Sequence, residues 1–161
     1  MIVSIDKRKG FTLIELLVSV AIIVILISLV LGAVYLFRQK ATRVSVKAEL
    51  DQIEVAWKTY LDDYRVFPTD VITEMDVATV DIISGRDVAK NPRRFQYLDV
   101  PPTMTDMTDP WGGIYQLRLD DDYDNRVSVP GVGVLNRRVA AWSHGPDGSA
   151  NTEDDVRSWE N

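Results

Sequence analysis

Three groups of acidic residues carry the chemistry available to this chain of 161 residues. The first is a single carboxylate, Glu15, inside an otherwise apolar run from Phe11 to Phe37. An ionised carboxylate in hydrocarbon costs about 2.5–3.5 kcal/mol on insertion scales, so it normally pairs with a charge or serves a pathway. No Lys or Arg lies between Phe11 and Phe37, so its partner is expected from outside this segment. The second group is Asp120-Asp121-Asp122-Tyr123-Asp124-Asn125. Its Asp-x-Asp-x-Asp start matches an EF-hand loop, but Asn125 stands where glycine is needed and Gly131 where the bidentate glutamate should be. A polar hairpin turn is the better reading, with a weak cation site as the alternative. The third group runs from Trp142 to Asp155, where Gly145, Pro146 and Gly148 fold the chain back and bring Asp147, Asp154 and Asp155 towards one place. Calcium takes six to eight oxygen ligands, backbone carbonyls included, in flexible geometry. From the residues alone, this loop is equally a calcium site or a solvated acidic turn.

Other chemistries are poorly served. There is no cysteine and one histidine, His144, so disulfides, thiolate metal sites and Cys nucleophiles are excluded. Zinc held by one histidine without cysteine is not expected. No nucleophile sits beside a base, and an enzyme is not expected. Charge is divided unevenly: residues 1–47 hold seven Lys/Arg against Asp6 and Glu15, net +5, and residues 48–161 hold eleven against twenty-two acids, net −11. So acidic a distal part argues against nucleic acid as a partner.

The elements that must position these groups follow from hydrophobic period. Lys7, Arg8 and Lys9 precede an apolar stretch of about 27 residues, longer than a secretory signal core and without a small-x-small cleavage site. An uncleaved single-pass anchor is the expectation, with Arg38, Lys40, Arg43 and Lys47 at its far end weakening the charge bias that orients it. Beyond Phe37, Val46, Leu50, Ile53, Trp57, Tyr60 and Tyr64 recur at steps of three and four, one stripe of a helix whose other faces are charged. One helix of about 80 Å therefore runs from Phe11 to near Tyr64, ended by Phe67-Pro68. The stripe reads as a core seam. A short helix is expected over residues 73–83, with the rest of 65–110 as loop. Strand patterns at 114–119, 126–129, Val134 and 139–142 predict an antiparallel meander laid on the amphipathic half of the helix.

Lys9-Gly10-Phe11-Thr12-Leu13-Ile14-Glu15 resembles the processing site of the type IV pilin and type II secretion pseudopilin families. The resemblance implies that prepilin peptidase cuts between Gly10 and Phe11, that the new N-terminal Phe11 is N-methylated, and that Glu15 is the family's assembly glutamate. Its partner would be the new ammonium on Phe11 of a neighbouring subunit. Ser143-His144-Gly145-Pro146-Asp147-Gly148, the Asp154-Asp155 pair, Val156 and Trp159 are similar to the C-terminal calcium loop of the major, G-type pseudopilin. Asp109-Pro110-Trp111-Gly112 with Tyr115, and Phe67-Pro68-Thr69, are similar to that family too. Carried over, Asp147, Asp154 and Asp155 would be side-chain ligands of calcium, and His144 and Thr152 would give backbone carbonyls. Gly32 stands where the family usually has a helix-breaking proline, Gly113-Ile114 replaces its Asn-Pro, and residues 70–106 match it poorly.

The implied fold is α+β and pilin-like: a long N-terminal helix, transmembrane in its first half and amphipathic in its second, packed on a small C-terminal antiparallel sheet. The implied divisions are a basic leader, 1–10, removed on processing; a transmembrane and assembly helix, 11–37; an amphipathic helix, 38–64; and an extracytoplasmic globular region, 65–161. The implied function is the major subunit of a periplasmic pseudopilus that drives export of folded proteins. Its partners would be further copies in a helical filament, minor pseudopilins, inner-membrane secretion assembly proteins, prepilin peptidase, and membrane lipid before assembly. It would cross the inner membrane once, N-terminus cytoplasmic and C-terminal region periplasmic. The alternatives are a type IV pilin for adhesion, motility or DNA uptake, and a minor pseudopilin.

Overall fold

The structure, a computed structural model, describes residues 11–68 and 72–160. They divide into two units, one ending at Ala41 and one beginning at Thr42. A single helix, α1, Leu13–Tyr64, contributes to both, and it is unbroken through Gly32.

In the first unit α1 has nothing to pack against. Leu16, Ile22, Ile25, Leu29 and Phe37 are all exposed, on every face of the helix. Its most apolar 18-residue window has a mean hydropathy of 3.1 and no buried residue, so the helix is long and apolar enough to cross a membrane. Surface of this kind belongs in lipid or against other subunits.

In the second unit the expected stripe is the core. Val46, Leu50, Ile53, Trp57 and Tyr60 are buried, with Tyr64 packed at the margin. The helix α2, Val77–Ile83, is shorter than the sequence predicts, because Asp76 caps it by accepting the Thr79 N–H at 2.9 Å. Upstream, Glu74 instead bridges to Gln116 and Thr73 accepts from the Leu117 N–H, so these residues extend the sheet.

Five strands follow: β1 Gln116–Leu119, β2 Val127–Val129, β3 Gly133–Leu135, β4 Val139–Ser143 and β5 Val156–Arg157. They do not form the expected meander. One sheet has the order β1-β4-β5, antiparallel, with Leu117 opposite Ala141 and Ser143 opposite Val156; β2 and β3 form a separate hairpin. The reason lies in β4, where every residue is buried. Val139 and Ala141 join the core on α1, whereas Ala140 and Trp142 pack with Val127, Val129, Leu135 and Trp159. A strand apolar on both faces needs cover on both. The helix covers one face, and the hairpin is folded back over the other. Together these elements give the α+β, pilin-like architecture.

Candidate functional site

The residues at the proximal site sit at the start of α1. Gly10 lies outside the described residues, and Phe11 is exposed just ahead of the helix. Thr12 and Glu15 form a reciprocal capping box. The Thr12 N–H and hydroxyl both donate to Glu15 Oε2 at 2.8 Å, and the Glu15 N–H donates to Thr12 Oγ1 at 3.3 Å. This cap satisfies helix donors that otherwise have no intrahelical partner. It also puts the carboxylate at the positive end of the helix dipole. Glu15 therefore has a local partner that its position in an apolar run does not reveal; the signal was the Thr-x-x-Glu spacing itself. Both bonds use Oε2. Oε1 faces no cation among the described residues.

The distal loop is built outward from β4. Asp109, buried between α2 and β1 in the chain, accepts from the Trp111 and Gly113 N–H groups at 3.0 and 2.8 Å, which closes the Asp-Pro-Trp-Gly turn. Its other oxygen accepts from the Ser143 hydroxyl at 2.5 Å, and Ser143 Oγ accepts in turn from the Gly145 N–H at 3.0 Å. A turn 34 residues away thus fixes the first residues of the loop. Gly145 has φ +67°, and a Cβ there would stand 2.4 Å from the Asp154 carbonyl oxygen, so the two arms touch only because this residue is glycine.

Inside the loop the carboxylates gather on Thr152. Its Oγ1 lies 2.5 Å from Asp154 Oδ1, 3.4 Å from Asp155 Oδ1 and 3.5 Å from Asp147 Oδ1. The Thr152 hydroxyl holds the Asp154 carboxyl below the usual carboxylate range, helped by the Asp147 N–H at 3.1 Å. Asp155 has other partners: Oδ2 accepts from Arg157 Nη2 at 3.1 Å and from the Asn151 N–H at 3.0 Å. Its side chain is 2% exposed, and Oδ1 is left facing Thr152. The imidazole of His144, half-buried after β4, makes no hydrogen bond or ion pair among the described residues. Thr152 is placed by its hydroxyl, and its carbonyl accepts from the Asp155 N–H at 3.4 Å.

An all-oxygen donor set of three carboxylates suits a hard cation such as calcium. The spacing is that of carboxylates held apart by a hydroxyl. Among the described residues, the trio of acids whose oxygens all lie within 4.8 Å of one another is instead Asp120, Asp122 and Asp124.

An acid-capped apolar helix carrying a small sheet defines a pilin-like subunit. A family model described as the prokaryotic N-terminal methylation motif matches residues 5–33. The chain is 31% identical to type II secretion system core protein G of Klebsiella pneumoniae, over 96% of each chain. It is 30% identical to the protein of that name in Escherichia coli (strain K12), over 96% of this chain and 92% of the relative. With that of Pseudomonas aeruginosa (strain PAO1) the identity is 28%, over 96% and 97%. No solved structure matches the chain. The chain belongs to the type II secretion system core protein G family, the major pseudopilins. It is a structural subunit of a secretion filament, made from a prepilin and anchored by its apolar helix, and not an enzyme.

Proposed function

We propose that cleavage between Gly10 and Phe11 creates the charge that Glu15 lacks, and that the pair so formed drives assembly of the periplasmic filament. The single observation that carries this reading is the half-used carboxylate at the start of α1: Oε2 is engaged by Thr12, and no cation among the described residues meets Oε1. An ammonium on Phe11 of a neighbouring copy supplies the missing partner and lowers the cost of both charges in an apolar surrounding. Before assembly the apolar first half of α1 lies in the inner membrane, with the leader cytoplasmic and the sheet periplasmic. On extraction, its exposed Leu, Ile and Val side chains exchange lipid for other copies. Contacts of that heterologous kind do not close on themselves, so the filament grows from its base. Minor pseudopilins and the inner-membrane assembly proteins are the partners that start and drive it.

Calcium, in this reading, is held at the distal loop by Asp147, Asp154 and Asp155, with the carbonyls of His144 and Thr152 completing the shell. The all-oxygen donor set of three carboxylates supports it. Binding there adds to folding stability by mass action.

Glu15→Gln tests the assembly reading, since it keeps side-chain length while removing the charge. Processing and membrane abundance should be unchanged, and filament sheared from cells that overproduce the subunit should fall at least tenfold. An undiminished filament yield would sink it.

A further inference from the structure

The second acidic cluster lies in the connection from β1 to β2. Asp120 follows β1 and is 1% exposed. Its N–H donates to the Arg138 carbonyl at 2.9 Å, continuing the β1–β4 ladder by one residue. Its Oδ2 accepts from the Asn125 N–H at 3.0 Å, but its Oδ1, fully buried, has no hydrogen-bond partner among the described residues. A buried carboxylate oxygen without a partner costs about 1–3 kcal/mol or more, so its survival calls for a ligand.

Asp122 and Asp124 stand beside it. One oxygen from each of the three acids lies within 4.8 Å of the others. Oxygens bound to one calcium at about 2.3–2.6 Å are separated by up to about 5 Å, so a single ion reaches all three. Asp122 and Asp124 are exposed, which leaves the outer side of such an ion to water. No Lys or Arg among the described residues forms an ion pair with any of the three. Arg118 donates to the Thr73 and Leu117 carbonyls, and Arg138 donates to the Asn125 side chain. Three carboxylates meet without a cation of the protein's own.

The loop is also held in place without an ion. Tyr123 stacks on Phe67 with ring planes 9° apart, and its hydroxyl accepts from the Phe67 N–H at 2.8 Å. These contacts tie the cluster to the end of α1.

We infer that Asp120, Asp122 and Asp124 form a second divalent-cation site, distinct from the Asp147–Asp155 loop, which takes calcium through one buried and two exposed carboxylates. It departs from the EF-hand in lacking both the glycine and the terminal glutamate, so it has fewer protein ligands and more water. Its affinity belongs with extracellular modules, at a Kd of about 10⁻⁴–10⁻³ M. An ion there would cross-link Asp120, at the end of β1, to Asp122 and Asp124 within the β1–β2 connection.

The test is calcium binding by the full mature protein in detergent, stripped with chelator and measured by equilibrium dialysis at millimolar calcium. Asp122→Asn with Asp124→Asn, both at exposed positions, should lower bound calcium by one ion per chain. In a background carrying Asp147→Ala, the same pair should remove the remaining ion. Tyr123→Phe, which keeps every carboxylate, gives an independent reading: terbium emission sensitised through tyrosine should drop in this variant. If the double variant binds as many ions as the unaltered chain, or terbium emission is unchanged in Tyr123→Phe, the site does not exist.

Discussion

Thr152 and Glu15 show how single side chains hold charge in this molecule. Each acid answers to a neighbour within a few residues: Glu15 to Thr12, Asp154 to Thr152, Asp155 to Arg157. With calcium at the distal loop, Asp147→Ala should lower the melting temperature in calcium and shrink the difference that chelator makes. A variant that still gains stability from calcium in proportion to the unaltered chain places the ion elsewhere. A second residue-scale prediction concerns Tyr115, whose hydroxyl donates to Glu49 at 2.5 Å. Burial first, and then this bond, raise its pKa far above the usual value of 10.0. A folded-state pKa above the unfolded one means that the contribution is whole below pH 10 and is lost as pH rises through the folded value. Tyr115→Phe should cost about 2 kcal/mol at neutral pH and shallow the alkaline decline. Equal slopes above pH 10 in the two proteins would contradict this. Glu15 and the acids of the distal loop were legible in the sequence because chemistry is written in residue type. The chain Asp109–Ser143–Gly145 was not, since it joins positions 34 residues apart, and neither were the contacts of the Thr152 hydroxyl with the three acids, which depend on how the loop folds.

At the scale of elements, the core of the second unit rests on α1 and β4. The stripe from Val46 to Tyr64 was readable because a helix with one packed side imprints its period on the sequence. Strand order was not readable. A five-residue strand buried on both faces has no alternation to show which neighbour it takes, and β5, two residues long, carries no pattern. Trp142 is the residue that commits β4 to its second layer, packing on Val127, Val129 and Trp159. Trp142→Ala should destabilise the protein by about 3–5 kcal/mol in denaturant unfolding, and a loss under 1 kcal/mol would mean that the hairpin does not depend on it. Glu54 ties the β3–β4 connection to α1: it is 8% exposed and pairs with Lys58 at 2.6 Å and Arg137 at 3.2 Å. Glu54→Gln should cost about 2 kcal/mol, less than the roughly 3–5 of a fully buried pair because Lys58 is half exposed. No change in unfolding midpoint would remove that tie from the account.

For the whole molecule, the two units divide the labour between joining and folding. The second unit, from Thr42 onward, contains the entire described core, whereas the first buries nothing within the chain. An element that buries nothing in one copy is completed by its surroundings, lipid at first and other copies later. Relatives aligned over 96% of the chain place both units in one secretion subunit, and the methylation motif spans the junction of leader and helix. In the proposed assembly, the cation that would meet Glu15 does not exist until the peptide bond after Gly10 is cut. The most direct measurement is the mass of the N-terminal peptide from subunits recovered in assembled filament. The account predicts a chain that begins at N-methylated Phe11. Filament built from chains that keep Met1 through Gly10 would contradict it.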